Sequence, residues 1–433
     1  MVDFKPTKYA LQCMATGEIF EDQGWCLASP KCNTPSLVRT VYEKKQFTPR
    51  QELDGFYIYA DWLPIKRVLS DSAIPVTYKS TGLAAKLGLE NLYITFSGYW
   101  PEKGANMKTC SFKETEAYSV CARLSEDNDR ILVVASAGNT ARAFANVCSE
   151  NNIPLLIAIP EDNIDALWFE KPLSPCVKVV ATPKGTDYYD AIAIGDIVCK
   201  SGYFLPEGGA KNVARRDGMG TTVLSAATLI GKIPDCYFQA IGSGTGTIAA
   251  WECNLRLIGD GRFGNHKMRL YPSQNVPFTP MYDAWKAGNR ELLPSTPEEA
   301  RQKALQITAK VLSNRKPPYS LRGGLYDALK DTGGNIEIGT NEDIDRLSVI
   351  FEKTEGIDIH PAAAIAIAGL EHAIAANEIG KDETVMLNIT GGGEKLFKAT
   401  HEVFYKKPDI ILHPDREAPE DIIAEIERLF NLR

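Results

Sequence analysis

From about residue 85 onward, the chain alternates short continuous apolar runs with stretches at helical spacing. Ile131 to Ala135 is one such run, the pattern of a strand buried on both faces. Ser136-Ala137-Gly138-Asn139 punctuates it, and helical spacing then covers Thr140 to Ser149. Leu155 to Ile159 and Val177 to Ala181 read as further strands, and Asp187 to Lys200 as a helix. A polar, glycine-rich stretch, Glu207 to Gly220, separates this block from the next. There the pattern predicts a helix over Thr221 to Ile230, a strand over Tyr237 to Ile241, a helix over Thr247 to Leu257 and a strand over Met268 to Pro272. Helices are predicted over Glu298 to Leu312 and Pro361 to Ala376, a strand over Val385 to Thr390, and a terminal amphipathic helix over Ile422 to Phe430.

Strand–helix alternation of this kind implies parallel strands joined by helical crossovers, so two α/β units are expected. Each has a glycine-rich turn at the carboxyl end of a strand, where open α/β sheets bind ligands. Residues 1–50 lack this rhythm and read as a loop-rich lead-in. The stretch 275–335, rich in Pro and Arg, reads as an insertion or a surface helical segment.

Composition narrows the classes. With 433 residues, 44% hydrophobic and 24% charged, the chain has too much apolar content for disorder and enough length for more than one core. The longest apolar run, Pro361 to Leu370, is about half of what a spanning helix needs. Met1 to Ala10 is charged and shows no apolar signal segment, so a cytoplasmic protein is expected. A net charge of −7 argues against nucleic acid as the main partner. The 10 cysteines are scattered without a Cys-x-x-Cys pair, which reads as reduced thiols. The five histidines show no metal-ligand spacing.

Three segments carry candidate chemistry. In Gly242-Ser243-Gly244-Thr245-Gly246, three glycines lie between a strand and a helix. Such a turn lets the backbone approach an anion, with helix N–H groups pointing at it. The spacing fits neither the dinucleotide fingerprint nor an ATP-type P-loop, and a tight turn without ligand fits it too. Ser136-Ala137-Gly138-Asn139-Thr140 is a second helix start whose N–H groups could hold a carboxylate, or simply a capped helix. Ser111-Phe112-Lys113 precedes a helical stretch, Glu114 to Leu124. Most lysines at such a place are solvated; burial there would lower the amine's pKa and free it for imine chemistry.

In order and content these segments resemble the fold-type-II pyridoxal-phosphate enzymes, most closely their threonine synthase group. The resemblance implies a two-domain α/β fold of tryptophan synthase β type, with open, mostly parallel sheets flanked by helices. It implies pyridoxal 5'-phosphate as cofactor, with Lys113 as the lysine that binds it covalently and moves protons. Asn139 would bind the ring hydroxyl, Gly242, Ser243, Gly244, Thr245 and Gly246 the phosphate, and Thr390 the pyridine nitrogen. Asn212-x-x-Arg215-x-Asp217-Gly218-x-x-Thr221 matches a segment near the family's substrate site, and His360-Pro361-Ala362-Ala363-Ala364 a family helix start. Ser136, Ala137, Gly138 and Thr140 are the expected substrate contacts. Among the basic residues in or beside these segments, Lys108, Arg142, Lys211, Arg215 and Arg216, the first choices for binding anions are Arg215 and Lys108. Cys110 reads as a core thiol.

The implied division is 108–215 for a small domain, and 51–107 with 216–433 for a large one. Glu114-Thr115 replaces the family's usual Asp-Arg after the lysine, and Gly220 replaces a lysine. The zinc ribbon of many relatives is reduced to Cys13, Cys26 and Cys32, so no metal is expected. These departures resemble the cysteate synthase branch, which serves coenzyme M biosynthesis. That branch implies O-phospho-L-serine and sulfite as substrates and a homo-oligomer in the cytoplasm, with neither nucleic acid nor membrane as partner. Threonine synthesis from O-phosphohomoserine, a sulfide-using cysteine synthase and a non-catalytic anion-binding protein remain open at this level.

Overall fold

The computed structural model describes residues 4–136 and 138–432. The continuous apolar runs become the central strands of two sheets. The smaller sheet has five parallel strands in the order Phe204–Pro206, Ile131–Ala135, Leu155–Pro160, Val177–Thr182 and Ile410–Ile411. Leu155–Pro160, at its centre, is buried along its whole length, as a strand covered by helices on both faces must be. The larger sheet has six strands, in the order Glu337–Gly339, Arg269–Asn275, Cys236–Ala240, Thr384–Ile389, Asn91–Phe96 and Val76–Lys79. All are parallel except Val76–Lys79, which closes one edge antiparallel. The alanine-rich helix Pro361–Ala375 packs across Cys236–Ala240 and Arg269–Asn275. Its small side chains let helix and sheet approach closely.

Helix Lys113–Arg123 lies between the helices Asn139–Glu150 and Val213–Ile230. It is buried from Glu114 to Arg123 although its sequence is polar. Burying polar groups without partners is costly, so each needs one inside the protein. Arg123 donates to Asn212 Oδ1 at 2.8 Å and to Asp22 Oδ2 at 2.7 Å. Glu114 accepts the Thr109 N–H at 2.5 Å, and the Thr115 hydroxyl donates to the Phe112 carbonyl at 2.8 Å. These bonds fix the helix that presents Lys113.

The structure departs from the sequence expectation in four places. Residues 1–50 contain a three-stranded antiparallel sheet, Ile19–Phe20, Tyr9–Cys13 and Val38–Tyr42. Its strands are short, and only Leu11 and Cys13 in one and Val38, Thr40 and Tyr42 in another show the alternating burial of a one-sided sheet. The helix expected from Thr221 begins at Val213, capped by Asn212; Gly218 and Gly220 mimic a loop but lie inside it. The helix expected over Glu298 to Leu312 ends at Gln306 and is followed by a separate turn, Lys310–Leu312. Finally, the C-terminal segment does not stay with the larger sheet. Ile410–Ile411 pairs with Val177–Thr182, and Ile422 and Ile426 of helix Pro419–Leu429 join the apolar core beside the smaller sheet.

Candidate active site

The carboxyl ends of both sheets open onto one cleft, with an empty volume of about 1020 Å³ that includes its solvent-facing part. Ser136, Gly138, Asn139 and Thr140 line it from the smaller sheet, the whole Gly242–Gly246 turn and Thr390 from the larger one, and Phe112 and Lys113 line it beside Thr390. Four separate segments of the chain are thus brought to one place. Ala137 lies outside the described residues.

The lysine segment is pinned directly to the end of the Thr384–Ile389 strand. The Phe112 N–H donates to the Thr390 carbonyl at 3.0 Å, the Gly392 N–H donates to the Cys110 carbonyl at 3.1 Å, and Ser111 pairs with Gly391. Lys113 Nζ meets the buried Glu116 carboxylate at 3.2 Å, one helical turn along. Burial lowers the pKa of the Lys113 amine, and Glu116 partly opposes this. Burial has the opposite consequence for Cys110, whose thiol is pushed well above its ordinary pKa. It is therefore a protonated core thiol and no nucleophile.

Asn139 is oriented by Arg142. The Arg142 guanidinium donates to Asn139 Oδ1 at 3.0 Å, to the Ala166 carbonyl at 3.0 Å and to the Thr109 carbonyl at 2.9 Å, and lies 4.3 Å over the Trp168 ring. With Oδ1 taken, the Asn139 amide has its Nδ2 hydrogens left to donate. On the opposite wall Gly244 has φ 78° and caps the sixteen-residue helix Thr245–Asp260. Ser243 and Thr245 share a hydrogen bond at 2.7 Å. The first-turn N–H groups of this helix have no intrahelical acceptors.

This set of donors fits pyridoxal phosphate. The glycine turn offers backbone N–H groups and two hydroxyls for a phosphate, Lys113 offers a buried primary amine, and Asn139 and Thr390 offer neutral polar groups for a pyridine ring.

The two expected anion binders fare differently. Lys108 is not among the cleft-lining residues; it pairs with Asp71 at 2.5 Å and with Glu170 at 3.2 Å, which takes it out of the site. Arg215 does line the cleft, but Glu207 grips it at 2.7 and 2.9 Å and Glu116 stands 3.3 Å away. Burial works against its charge, yet these carboxylates raise its pKa above the ordinary arginine value. Arg216 is bound to Glu252 at 2.9 Å, and Lys211 is exposed outside the cleft lining.

Sequence reasoning missed Tyr188, Gln239 and the segment Lys310 to Asn314, all of which line the cleft. The last belongs to the insertion over 275–335. A Cβ on Gly242 would stand 2.8 Å from the Val311 carbonyl, so the glycine turn has room for the insertion only because it carries no side chain there. Arg315 then ties the insertion to the other side of the cleft, meeting Asp187 at 2.5 Å and lying 4.2 Å over the Tyr189 ring. The only sequence signal was the Pro- and Arg-rich composition of the insertion.

The fold and this cleft define a pyridoxal-phosphate enzyme of fold type II. The family model described as "Pyridoxal-phosphate dependent enzyme" matches residues 96–391. The structure of maize serine racemase superposes with a TM-score of 0.56 at 16% identity, over 75% of this chain and 92% of that one, which shows a shared fold. The chain belongs to the pyridoxal-phosphate-dependent enzymes and, within them, to the cysteate synthase family. It is 45% identical to the cysteate synthase of Methanosarcina acetivorans over 94% of this chain and 98% of that protein. It is 48% identical to the cysteate synthase of Methanoculleus marisnigri over 89% of each chain.

Proposed function

We propose that the protein converts O-phospho-L-serine and sulfite into L-cysteate and phosphate, as a cytoplasmic homo-oligomer supplying coenzyme M biosynthesis. The observation that carries this reading is the convergence of Lys113, Asn139, the Gly242–Gly246 turn and Thr390 on one cleft, in a chain alike over nearly its full length to cysteate synthases. Among the described residues no helix is long and apolar enough to cross a membrane.

Bound pyridoxal phosphate supplies the electron sink that makes the substrate α-proton removable. The Gly242–Gly246 N–H groups with the Ser243 and Thr245 hydroxyls would hold its phosphate, and the Asn139 amide would hold its ring hydroxyl. Lys113 Nζ takes the α-proton as general base and returns it after replacement at the β-carbon. Thr390 would offer the ring nitrogen a hydroxyl rather than a carboxylate. It therefore brings no negative charge to hold that nitrogen protonated, which favours prompt loss of the β-substituent over racemisation. The Ser136 to Thr140 turn receives the substrate carboxylate.

Both the leaving group and the nucleophile are anions, so the cleft needs a cation not already neutralised. The cationic residues lining it are Lys113, Arg215, Lys310 and, when protonated, His360. Lys113 and Arg215 face carboxylates, and His360 Nε2 stands 3.2 Å from Glu394. Among the described residues Lys310 has no acidic partner; its Nζ donates to the Leu305 carbonyl at 2.6 Å. Lys310 is the residue that draws the substrate phosphate and sulfite into the cleft.

Phosphate release is the test. The purified protein with pyridoxal phosphate should release phosphate from O-phosphoserine in a sulfite-dependent way and accumulate cysteate. Release from O-phosphohomoserine with inert phosphoserine would instead make it a threonine synthase.

A further inference from the structure

Helix Lys113–Arg123 carries a glutamate for which the proposed reaction has no use. Glu116 is fully buried, three residues beyond Lys113. Its Oε2 stands 3.2 Å from Lys113 Nζ and its Oε1 3.3 Å from Arg215 Nη2. We propose that Glu116 is a positioning residue for the reaction: its fixed negative charge holds Lys113 in place and sets the protonation of the nitrogen at the lysine tip, first the free amine and then the nitrogen that joins Lys113 to the cofactor.

Three observations carry this. The i,i+3 spacing on a buried helix sets the carboxylate beside the lysine tip, and Glu116 itself is fully buried there. Arg215 is gripped from its other side by Glu207, which keeps its guanidinium beside Glu116. The Glu116 carboxylate thus sits between two cationic side chains, Lys113 at 3.2 Å and Arg215 at 3.3 Å. A carboxylate buried without such a partner would protonate instead.

The groups facing Lys113 come from several elements. Arg215 of helix Val213–Ile230 opposes its charge, and Glu207, beyond the strand Phe204–Pro206, supports it. The Phe112 ring lies 4.9 Å from Nζ, and Tyr188 of helix Tyr188–Val198 and His360 line the same cleft. Glu116 is the carboxylate in direct contact with the amine. A buried unlike charge at contact distance favours the protonated form of a nitrogen far more than an exposed one does.

The inference rests on Lys113 being the residue that takes the cofactor. Titration of the bound cofactor's absorbance against pH, in holoenzyme without substrate, separates the two. Lys113→Ala should lose the titrating band; a band that survives overturns the assignment of Lys113, whatever Glu116 does. In Glu116→Gln, which keeps the shape and removes the charge, the apparent pKa of the lysine–cofactor nitrogen should fall by at least one pH unit, a tenfold loss of proton affinity. In Glu116→Asp, which keeps the charge but draws it back by one methylene, the fall should be less than half as large.

If Glu116 only filled space, the order would reverse, with Gln silent and Asp disturbed, and that result overturns the proposal. Should the Gln variant fail to fold, Glu116→Met, which also removes the charge, takes its place, and a Met variant titrating like the wild type overturns the proposal equally. The kinetic counterpart is a fall in kcat with a displaced pH profile and little change in KM for O-phosphoserine.

Discussion

Replacing Glu114 by Gln should make the protein's stability less dependent on pH. Glu114 directly follows Lys113, is buried, and accepts the Thr109 N–H at 2.5 Å. Burial pushes its carboxyl up to about 7 from the ordinary 4.5. The folded protein therefore keeps a proton that the unfolded chain releases at lower pH. The stability this group contributes is complete below about 4.5, and it is lost as the pH rises through about 7. One pH unit is worth about 1.4 kcal/mol, so ionised Glu114 costs the fold about 3 kcal/mol, most of which develops between pH 5 and pH 8. A glutamine cannot ionise, and its carbonyl can still accept the Thr109 N–H. The free-energy difference between Glu114→Gln and wild type should therefore move by about 2–3 kcal/mol in favour of the variant from pH 5 to pH 8. Urea unfolding at both pH values, at fixed cofactor concentration, reads this directly. Glu337, pushed to about 7 mainly by burial, titrates alike in both proteins and cancels. A difference that is the same at pH 5 and pH 8 would refute the reasoning, because the buried carboxyl would then not be the group that takes up the proton.

Arg142→Met should keep much of the contact with Trp168 but leave the Thr109 and Ala166 carbonyls without their donors; the cost is about 3–5 kcal/mol in urea unfolding, and pyridoxal phosphate should bind several-fold more weakly as Asn139 loses its orientation. Arg315→Ala unties the insertion from Asp187 and Tyr189. That partly exposed pair is worth about 1 kcal/mol, so KM for the phosphorylated substrate should rise about fivefold, while thermal unfolding shifts by only a few degrees. Lys310→Ala should raise KM for O-phosphoserine and for sulfite about tenfold at low salt, with a smaller effect at high salt; steady-state kinetics at two ionic strengths would show it, and unchanged KM values would remove Lys310 from anion binding.

The positions legible in the sequence share a physical feature: each marks a place where the backbone must open. Glycine at 244 meets a left-handed φ, glycine at 242 leaves room for the Val311 carbonyl, and Ser136 and Asn139 stand where a strand gives way to a helix. Such requirements are local, so a few neighbouring residues disclose them. The two continuous cores were legible for the same reason, since a strand buried on both faces must be apolar along its whole length. What the sequence concealed is pairwise. Lys108 and Arg215 look like free cations until Asp71, Glu170, Glu207 and Glu116 fold against them from 8 to 99 residues away. A charge pattern along the chain lists cations without saying which are already neutralised. The same blindness hid Glu116, whose position in the sequence is that of an ordinary polar helix residue. It also hid the Lys310 to Asn314 wall, a segment too short for periodicity, in which Leu312 alone enters the apolar core and backbone bonds and Arg315 hold the rest. The cleft positions proposed for the cofactor are thus written in backbone geometry, which a sequence discloses, whereas those proposed for the substrate anions depend on which charges find each other, which only the fold decides.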